Sequence, residues 1–248
     1  VEWEWVFILD THLKIYYHLL MSIVLHYNEI VSIEKQNLQR GMNFRCNPEY
    51  SVLLMSTRNN APFEDEVVAD GRVLIYEGHN AYKNHTDKDP YSVDQPRHTP
   101  NGKLTDNGKF EKAALDFKEG NEKPEIVRVY EKIKDGVWSF NGIFKLVDAY
   151  EKEIDGRSVF KFILTLTDKP MNENETEIRL KEHARLIPSK VKAEVWARDK
   201  GKCVECESTD HLHFDHILPY SKGGTSESAE NIQLLCARHN LQKSDKII

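Results

Sequence analysis

The 248-residue sequence predicts an α+β protein in three parts: an N-terminal helical segment, a mainly antiparallel sheet or barrel with flanking helices, and a small metal-clasped C-terminal module. Three observations predict it. The apolar period changes from helical to alternating near residue 50. A polar, acidic, proline-interrupted stretch, Lys169-Pro-Met-Asn-Glu-Asn-Glu-Thr-Glu177, follows the last strand-like run. Three of the four cysteines, Cys203, Cys206 and Cys236, crowd into the last 46 residues.

The N-terminal element comes first. Residues Trp5 to Tyr27 are rich in apolar side chains, but Asp10, His12, Lys14, His18 and His26 interrupt a run that a membrane helix needs free of charge. Ile15, Leu19, Ile23 and Ile30 recur at roughly helical spacing, which predicts an amphipathic helix packed on a partner surface within residues 1–44. No membrane partner is expected.

Residues 45–170 form the next unit. Tyr50-Ser-Val-Leu-Leu-Met-Ser, Arg72-Val-Leu-Ile-Tyr76, Ile126-Val-Arg-Val-Tyr130, Val137 to Val147 and Ser158 to Leu166 are short and rich in β-branched and aromatic residues, with Gly, Asn, Asp or Pro between them. These predict strands. Glu77 to Asn101 is a long polar loop carrying Pro90, Pro96 and Pro100, with Lys83, Lys88 and Arg97 available to phosphates or simply solvated. Thr105 to Lys118 predicts one helix, with Phe110, Ala113, Ala114 and Phe117 on one face.

A linker is expected over residues 171–190, and the charge reverses across it. Arg179 to Lys202 carries eight basic and three acidic residues, a local +5 in a chain whose net charge is −6. The overall balance argues against a protein that coats nucleic acid by bulk attraction. The local one suits phosphate contacts, for which Lys190, Lys192, Arg198 and, farther on, Lys243 are candidates; a solvated helix face joining two domains fits the composition equally.

The C-terminal module, residues 191–248, carries the chemistry. Cys203-Val-Glu-Cys206 and Cys236-Ala-Arg-His239 are two ligand pairs, and four sulfur and nitrogen donors of this kind make a closed tetrahedral zinc site. Reduced cysteines beside a histidine suit an intracellular, cytoplasmic protein, and Cys46 reads as an ordinary buried thiol. Between the pairs lie His211-Leu-His-Phe-Asp-His-Ile-Leu-Pro-Tyr-Ser-Lys-Gly-Gly224 and Asn231-Ile-Gln-Leu-Leu-Cys236, then Ala237-Arg-His-Asn-Leu-Gln-Lys243. The order predicts strand, loop, strand, helix, with His211 and His213 at the surface.

From about Val191 to Asp245 these residues resemble the HNH endonucleases, whose ββα-metal fold holds one catalytic divalent cation between a hairpin and a helix. The resemblance rests on Val195-Trp-Ala-Arg-Asp-Lys-Gly-Lys-Cys203, Asp215-His216, Gly223-Gly224, Asn231 and His239-Asn240. It implies that Asp215 and Asn240 ligate Mg²⁺ or Mn²⁺, that His216 is the general base, and that Asn231 holds the loop that orients His216. If no structural zinc forms, His239 takes the place of Asn240. Helical residues in succession point about 100° apart, so His239 and Asn240 can serve different sites.

Residues 45 to 167 resemble an SRA (SET and RING associated) domain, a reader that flips modified cytosine out of the duplex. The similar segments are Tyr50-Ser-Val-Leu-Leu-Met-Ser, Phe63-Glu-Asp-Glu, Val73-Leu-Ile-Tyr-Glu-Gly78, Lys103-Leu-Thr-Asp-Asn107, Val127-Arg-Val-Tyr and Phe140-Asn-Gly-Ile-Phe-Lys145. The resemblance implies that Phe63 and Tyr76 stack on the flipped base and that Asp65 or Glu66 accepts from its exocyclic amine. Phe63 stands where the family has Tyr, Asn141 stands where its Tyr-Asp-Gly signature has Asp, and the intervening loop is one residue longer.

An SRA-like reader joined to an HNH nuclease matches bacterial modification-dependent restriction enzymes. The expectation is an endonuclease acting on double-stranded DNA that contains 5-methyl- or 5-hydroxymethylcytosine. One HNH site cuts one strand, so a homodimer is the simplest source of a double-strand break. The alternatives are a nickase or homing-type nuclease that reads sequence, and a modified-DNA reader with a degenerate nuclease.

Overall fold

The computed structural model describes residues 22–38, 40–58, 61–68, 71–167, 186–219 and 222–243. Most of the Trp5–Tyr27 helix, most of the linker with Arg179, Lys181 and Arg185, and Asp245 fall outside the described residues. No helix among them is long and apolar enough to cross a membrane.

The fold is α+β. Its larger part is a sheet of eight strands: β1 (Val24–Leu25), β2 (Met42–Asn47), β3 (Tyr50–Met55), β4 (Glu66–Val68), β5 (Val73–Glu77), β6 (Ile126–Lys134), β7 (Val137–Ile154) and β8 (Arg157–Leu166). They run in the order β2-β3-β6-β7-β8-β5-β4, with β1 added to β7. Only β3 and β6 pair in parallel, Ser51 opposite Val127. β7 is long enough to serve two partners: its first half pairs with β6, and after a register shift between Leu146 and Asp148 its second half pairs with β8. Alternation along β5, β6, β7 and β8 turns Leu74, Tyr76, Val127, Val129, Phe144, Leu146, Phe162 and Leu164 into one core. Helix α2 (Asp106–Lys118), capped by the Thr105 hydroxyl, covers that core with Phe110 and Ala114.

The sheet's other face is covered by the N-terminal segment. Helix α1 (Tyr27–Glu34) and Leu38 place Ile30 and Leu38 on Val52, Tyr130 and Phe140. Burying Glu34 there is compensated by Tyr130, whose hydroxyl donates to it, and by Arg128 at 3.2 Å. The helical period expected through Ile23 is not followed. Ile23 is extended, because Ser22 N donates to Phe140 O at 2.9 Å, Phe140 N to Ile23 O at 3.0 Å and Phe214 N to Ser22 O at 3.1 Å. Pairing with two separate strands overrides the local period.

The 77–101 loop is pinned at its base. Gln95 donates to Gly78 O at 2.7 Å and accepts from Phe160 N at 2.9 Å, while Asn107 bonds both backbone groups of His79 at 2.9 Å. Arg97 is not free for phosphate. It pairs with Glu111 at 2.5 Å and Glu151 at 2.5 Å, while Lys83 and Lys88 remain exposed.

The smaller part consists of α3 (Ser189–Arg198), the hairpin β9 (Leu212–His216) and β10 (Ile232–Cys236), and α4 (Ala237–Lys243). The strand–loop–strand–helix order is as expected. Val191, Val195, Phe214, Ile232, Leu234 and Leu235 form its core. Arg198 ties α3 to the turn before β10 by donating to Ala229 O and Ile232 O, both at 2.6 Å, with Asp199 taking its other edge. That commits most of the guanidinium inside the module rather than to a DNA backbone. His213, expected at the surface, is 2% exposed although it faces away from Leu212 and Phe214, because its strand is bridged there by Ile23.

Lys192 also departs from expectation. It is fully buried, donating to Glu131 Oε2 at 2.8 Å and Asn141 Oδ1 at 2.6 Å, and so joins α3 to β6 and β7 instead of reaching a phosphate. Of the basic residues singled out on α3, Lys190 is the exposed one with no such commitment.

Candidate active site and reader pocket

The zinc-type cluster is built by two local turns. Cys203 and Cys206 lie in the loop after α3, and Cys236 and His239 span the junction of β10 and α4. Their ligand atoms all lie within 4.8 Å of one another. Cys206 Sγ is 3.8 Å from Cys236 Sγ, and His239 Nδ1 is 3.3 Å from Cys203 Sγ and 3.5 Å from Cys236 Sγ. Tetrahedral bonds of about 2.3 Å to sulfur and about 2.0 Å to nitrogen require edges of roughly 3.5 to 3.8 Å, so three thiols and an imidazole at this spacing suit zinc.

Asp215 and His216 end β9, opposite Gln233 and Ile232 of β10. Neighbours on a strand face opposite ways, and the two side chains part accordingly. The Asp215 carboxylate turns towards α4, where Lys243 Nζ meets Oδ2 at 2.8 Å. The His216 ring turns into the loop, where Nε2 lies 2.9 Å from Ser226 Oγ. Burial pushes the His216 pKa below the usual imidazole value, the Asp215 charge opposes this and Lys243 adds to it, so the ring is neutral near pH 7.

Asn231 organises the loop that returns from His216. Its Oδ1 accepts from Leu218 N at 2.8 Å, and its Nδ2 donates to Leu218 O at 3.0 Å and to Thr225 O at 2.9 Å. Gly224 sits inside this knot, where a Cβ would come 1.8 Å from Leu218 O. Asn240 shares a face of α4 with Lys243, three residues on, but bonds neither Asp215 nor His216. Lys243, expected on the DNA backbone, is 3% exposed; its side chain is drawn inward by Asp215 and by the carbonyl of His216, which accepts from Nζ at 2.5 Å. Ser226 gave no signal in the sequence. The partnership of Lys243 follows from the i, i+3 spacing after Asn240, once the facing strand is known.

In the larger part, β4 and β5 bring together the residues expected at a base pocket. Val67 pairs with buried Leu74 and packs on the core, so Asp65 shares the inner face with Tyr76, while Glu66 is exposed on the outer one. Asp65 Oδ1 accepts from Glu77 N and Oδ2 from Ser56 N, each at 3.0 Å. Burial, with the Glu77 charge adding and the two amides and Lys161 opposing, pushes its pKa up to about 7. Behind it, buried Glu77 is compensated by Lys161 at 2.9 Å and Arg157 at 3.5 Å. Phe63 is half-buried. Tyr76 is 3% exposed in the core with its hydroxyl 3.3 Å from Leu54 O, so its ring presents no open face: alternation on β5 places it inside with Leu74.

Residues 203–246 match the family model described as HNH endonuclease. No curated protein matches the chain. Similar solved structures include the SUVH5 SRA domain in complex with hemimethylated CG DNA, at 20% identity and a TM-score of 0.41 over 58% of this chain and 86% of that one. The same domain bound to fully hydroxymethylated CG DNA gives 16% identity and a TM-score of 0.42 over 60% and 91%. The type IV phosphorothioation-dependent restriction endonuclease ScoMcrA gives 14% identity and a TM-score of 0.39 over 91% of this chain and 52% of that one.

Proposed function

We propose that this chain is a modification-dependent DNA endonuclease, in which the eight-stranded part reads 5-modified cytosine and the C-terminal HNH module hydrolyses the phosphodiester. The observation that carries it is the end of β9: a histidine and a carboxylate facing apart on consecutive residues, with the loop between them and β10 knotted by Asn231. In the tautomer whose Nε2–H donates to Ser226 Oγ, His216 keeps its Nδ1 lone pair for the proton of an attacking water. Asn231 keeps that ring in place through the Leu218 and Thr225 carbonyls.

The donor set suits a hard divalent cation. Asp215 and Asn240 offer oxygen ligands, and Asp215 Oδ1 carries no protein donor among the described residues. A bound Mg²⁺ or Mn²⁺ supplies charge neutralisation at the scissile phosphate and its leaving oxygen. One such site cuts one strand, so a double-strand break calls for two chains.

For the reader, position on the inner face favours Asp65 over Glu66 as the base-reading carboxylate. Phe63 and Tyr76 would then flank the base, which requires Tyr76 to leave its enclosed place. Modified DNA is the expected partner, with Lys190 a candidate for its backbone.

Cleavage of unmodified, 5-methylcytosine, 5-hydroxymethylcytosine and glucosylated DNA by the purified chain with Mg²⁺ or Mn²⁺ tests the reading. Preference for a modified substrate supports it; equal cutting of all four, or of none, rejects it. His216→Ala should lower cleavage by about 100- to 10,000-fold while DNA binding persists. Ser226→Ala, which frees the ring without removing it, should cost on the order of tenfold in kcat with KM unchanged; an unaltered kcat would remove Ser226 from the machinery.

A further inference from the structure

Lys243 is almost wholly buried at the last position of α4, and a buried ammonium is costly unless it is ion-paired and hydrogen-bonded. It satisfies both conditions on β9: Nζ is 2.8 Å from Asp215 Oδ2 and 2.5 Å from the His216 carbonyl oxygen. A cation lodged against a candidate metal ligand can act in two opposite ways. It can occupy the place of the metal, or it can hold the ligand for the metal.

The carboxylate geometry separates these. Both protein donors that reach Asp215, Lys243 Nζ and Gln233 Nε2 at 3.5 Å, approach the same oxygen, Oδ2. Among the described residues no hydrogen bond is made to Oδ1, and the side chain keeps 17% of its surface exposed. One oxygen is held and the other is left open, which is the arrangement the second role needs. The second contact, to the His216 carbonyl, fixes the backbone from which the His216 ring projects towards Ser226.

We propose that Lys243 is a positioning residue of the nuclease: it holds Asp215 by Oδ2 and the end of β9 by the His216 carbonyl, and so presents Oδ1 to the divalent cation. This rests on Asp215 being a metal ligand. Groups that orient metal ligands are worth about 10- to 100-fold in metal affinity. The sign is informative, because removing a positive charge beside a cation site should by itself tighten binding.

The test is Mn²⁺ binding by the full chain, followed by electron paramagnetic resonance or calorimetry, for wild type, Lys243→Met, Lys243→Gln and Lys243→Arg, with Asp215→Ala marking the site. Lys243→Met and Lys243→Gln should bind Mn²⁺ about 10- to 100-fold more weakly, with Lys243→Arg losing less. Zinc content should hold, and kcat should fall while KM for DNA stays. Should Lys243→Met lose its zinc, the comparison of Lys243→Gln with Lys243→Arg decides. Mn²⁺ binding as tight as wild type or tighter in the Met and Gln variants overturns the role of Lys243 and leaves the metal site standing. A wild-type chain that binds no Mn²⁺ overturns the metal site, and this proposal with it.

Discussion

Cys236→Ser should unfold the C-terminal module and abolish the proposed cleavage even with Mg²⁺ in excess, while the eight-stranded part keeps its structure. The module's core is small, and two of its buried members are Cys203 and Cys236 themselves. A single two-stranded hairpin is marginal in water; among the described residues the Ser22–Ile23 segment is the one further strand-like partner of β9–β10, and the rest of its edge is met by Arg198, Asp199 and Val204 from the α3 end. Cross-linking the loop after α3 to the start of α4 fixes both ends of the hairpin at once. Apparent free energies of zinc binding by such clusters are about 10 to 16 kcal/mol at neutral pH, and where the apo state is unfolded they are folding free energies. Metal analysis should find about one zinc per chain in the wild type and none in the variant. Circular dichroism should show loss limited to the smaller part. Full cleavage by zinc-free protein would remove the cluster from the argument.

What the sequence made legible divides by the range of the interactions. The zinc ligands, the β9–β10–α4 order and the Thr105-capped helix are written in spacings of two to a dozen residues, and local geometry needs nothing else. The five principal strands were legible from alternation and β-branched residues; β2 alternates Met42, Phe44 and Cys46 with Asn43, Arg45 and Asn47 but has no β-branched residue to mark it. Ile23 carried a helical period and became extended because Phe140 and Phe214 offered it two strands. Basic residues were the hardest to place. Lys190, Lys192, Arg198 and Lys243 are alike in composition, yet the first is exposed, two are buried on carboxylates and one is spent on carbonyls. Only the elements that face them decide this. Asp65 and Glu66 were equivalent in the text for the same reason, and the pairing of Val67 with Leu74 is what separates their faces.

Lys192→Met is the second large effect, and it falls on the joint between the two parts. Removing the ammonium leaves the Glu131 carboxylate, 1% exposed, held by Asn141 at 2.9 Å and by the Ser189 hydroxyl but without a countercharge. Breaking one partner of a buried ion pair costs about 3 to 5 kcal/mol, whereas replacing both by apolar groups of similar size is often close to neutral. Lys192→Met should therefore lower stability by that amount, and Glu131→Met with Lys192→Met should recover most of it. A double-mutant cycle by chemical denaturation reads the difference, and equal losses in the single and double variants would show that packing rather than charge is at stake. The location gives the result a second reading. Asn141 bonds Lys192 Nζ directly, so the Phe140-Asn-Gly segment of β7 is the one that receives α3. Loss of Lys192 weakens the α3 connection to β6 and β7, while the segment from Ser22 to Leu25, which pairs with β7 and meets β9, remains. Calorimetry should accordingly show one unfolding transition for the wild type and two for Lys192→Met, the lower one belonging to the zinc-clasped module; one undivided transition at lower temperature would mean that the remaining ties keep the halves cooperative.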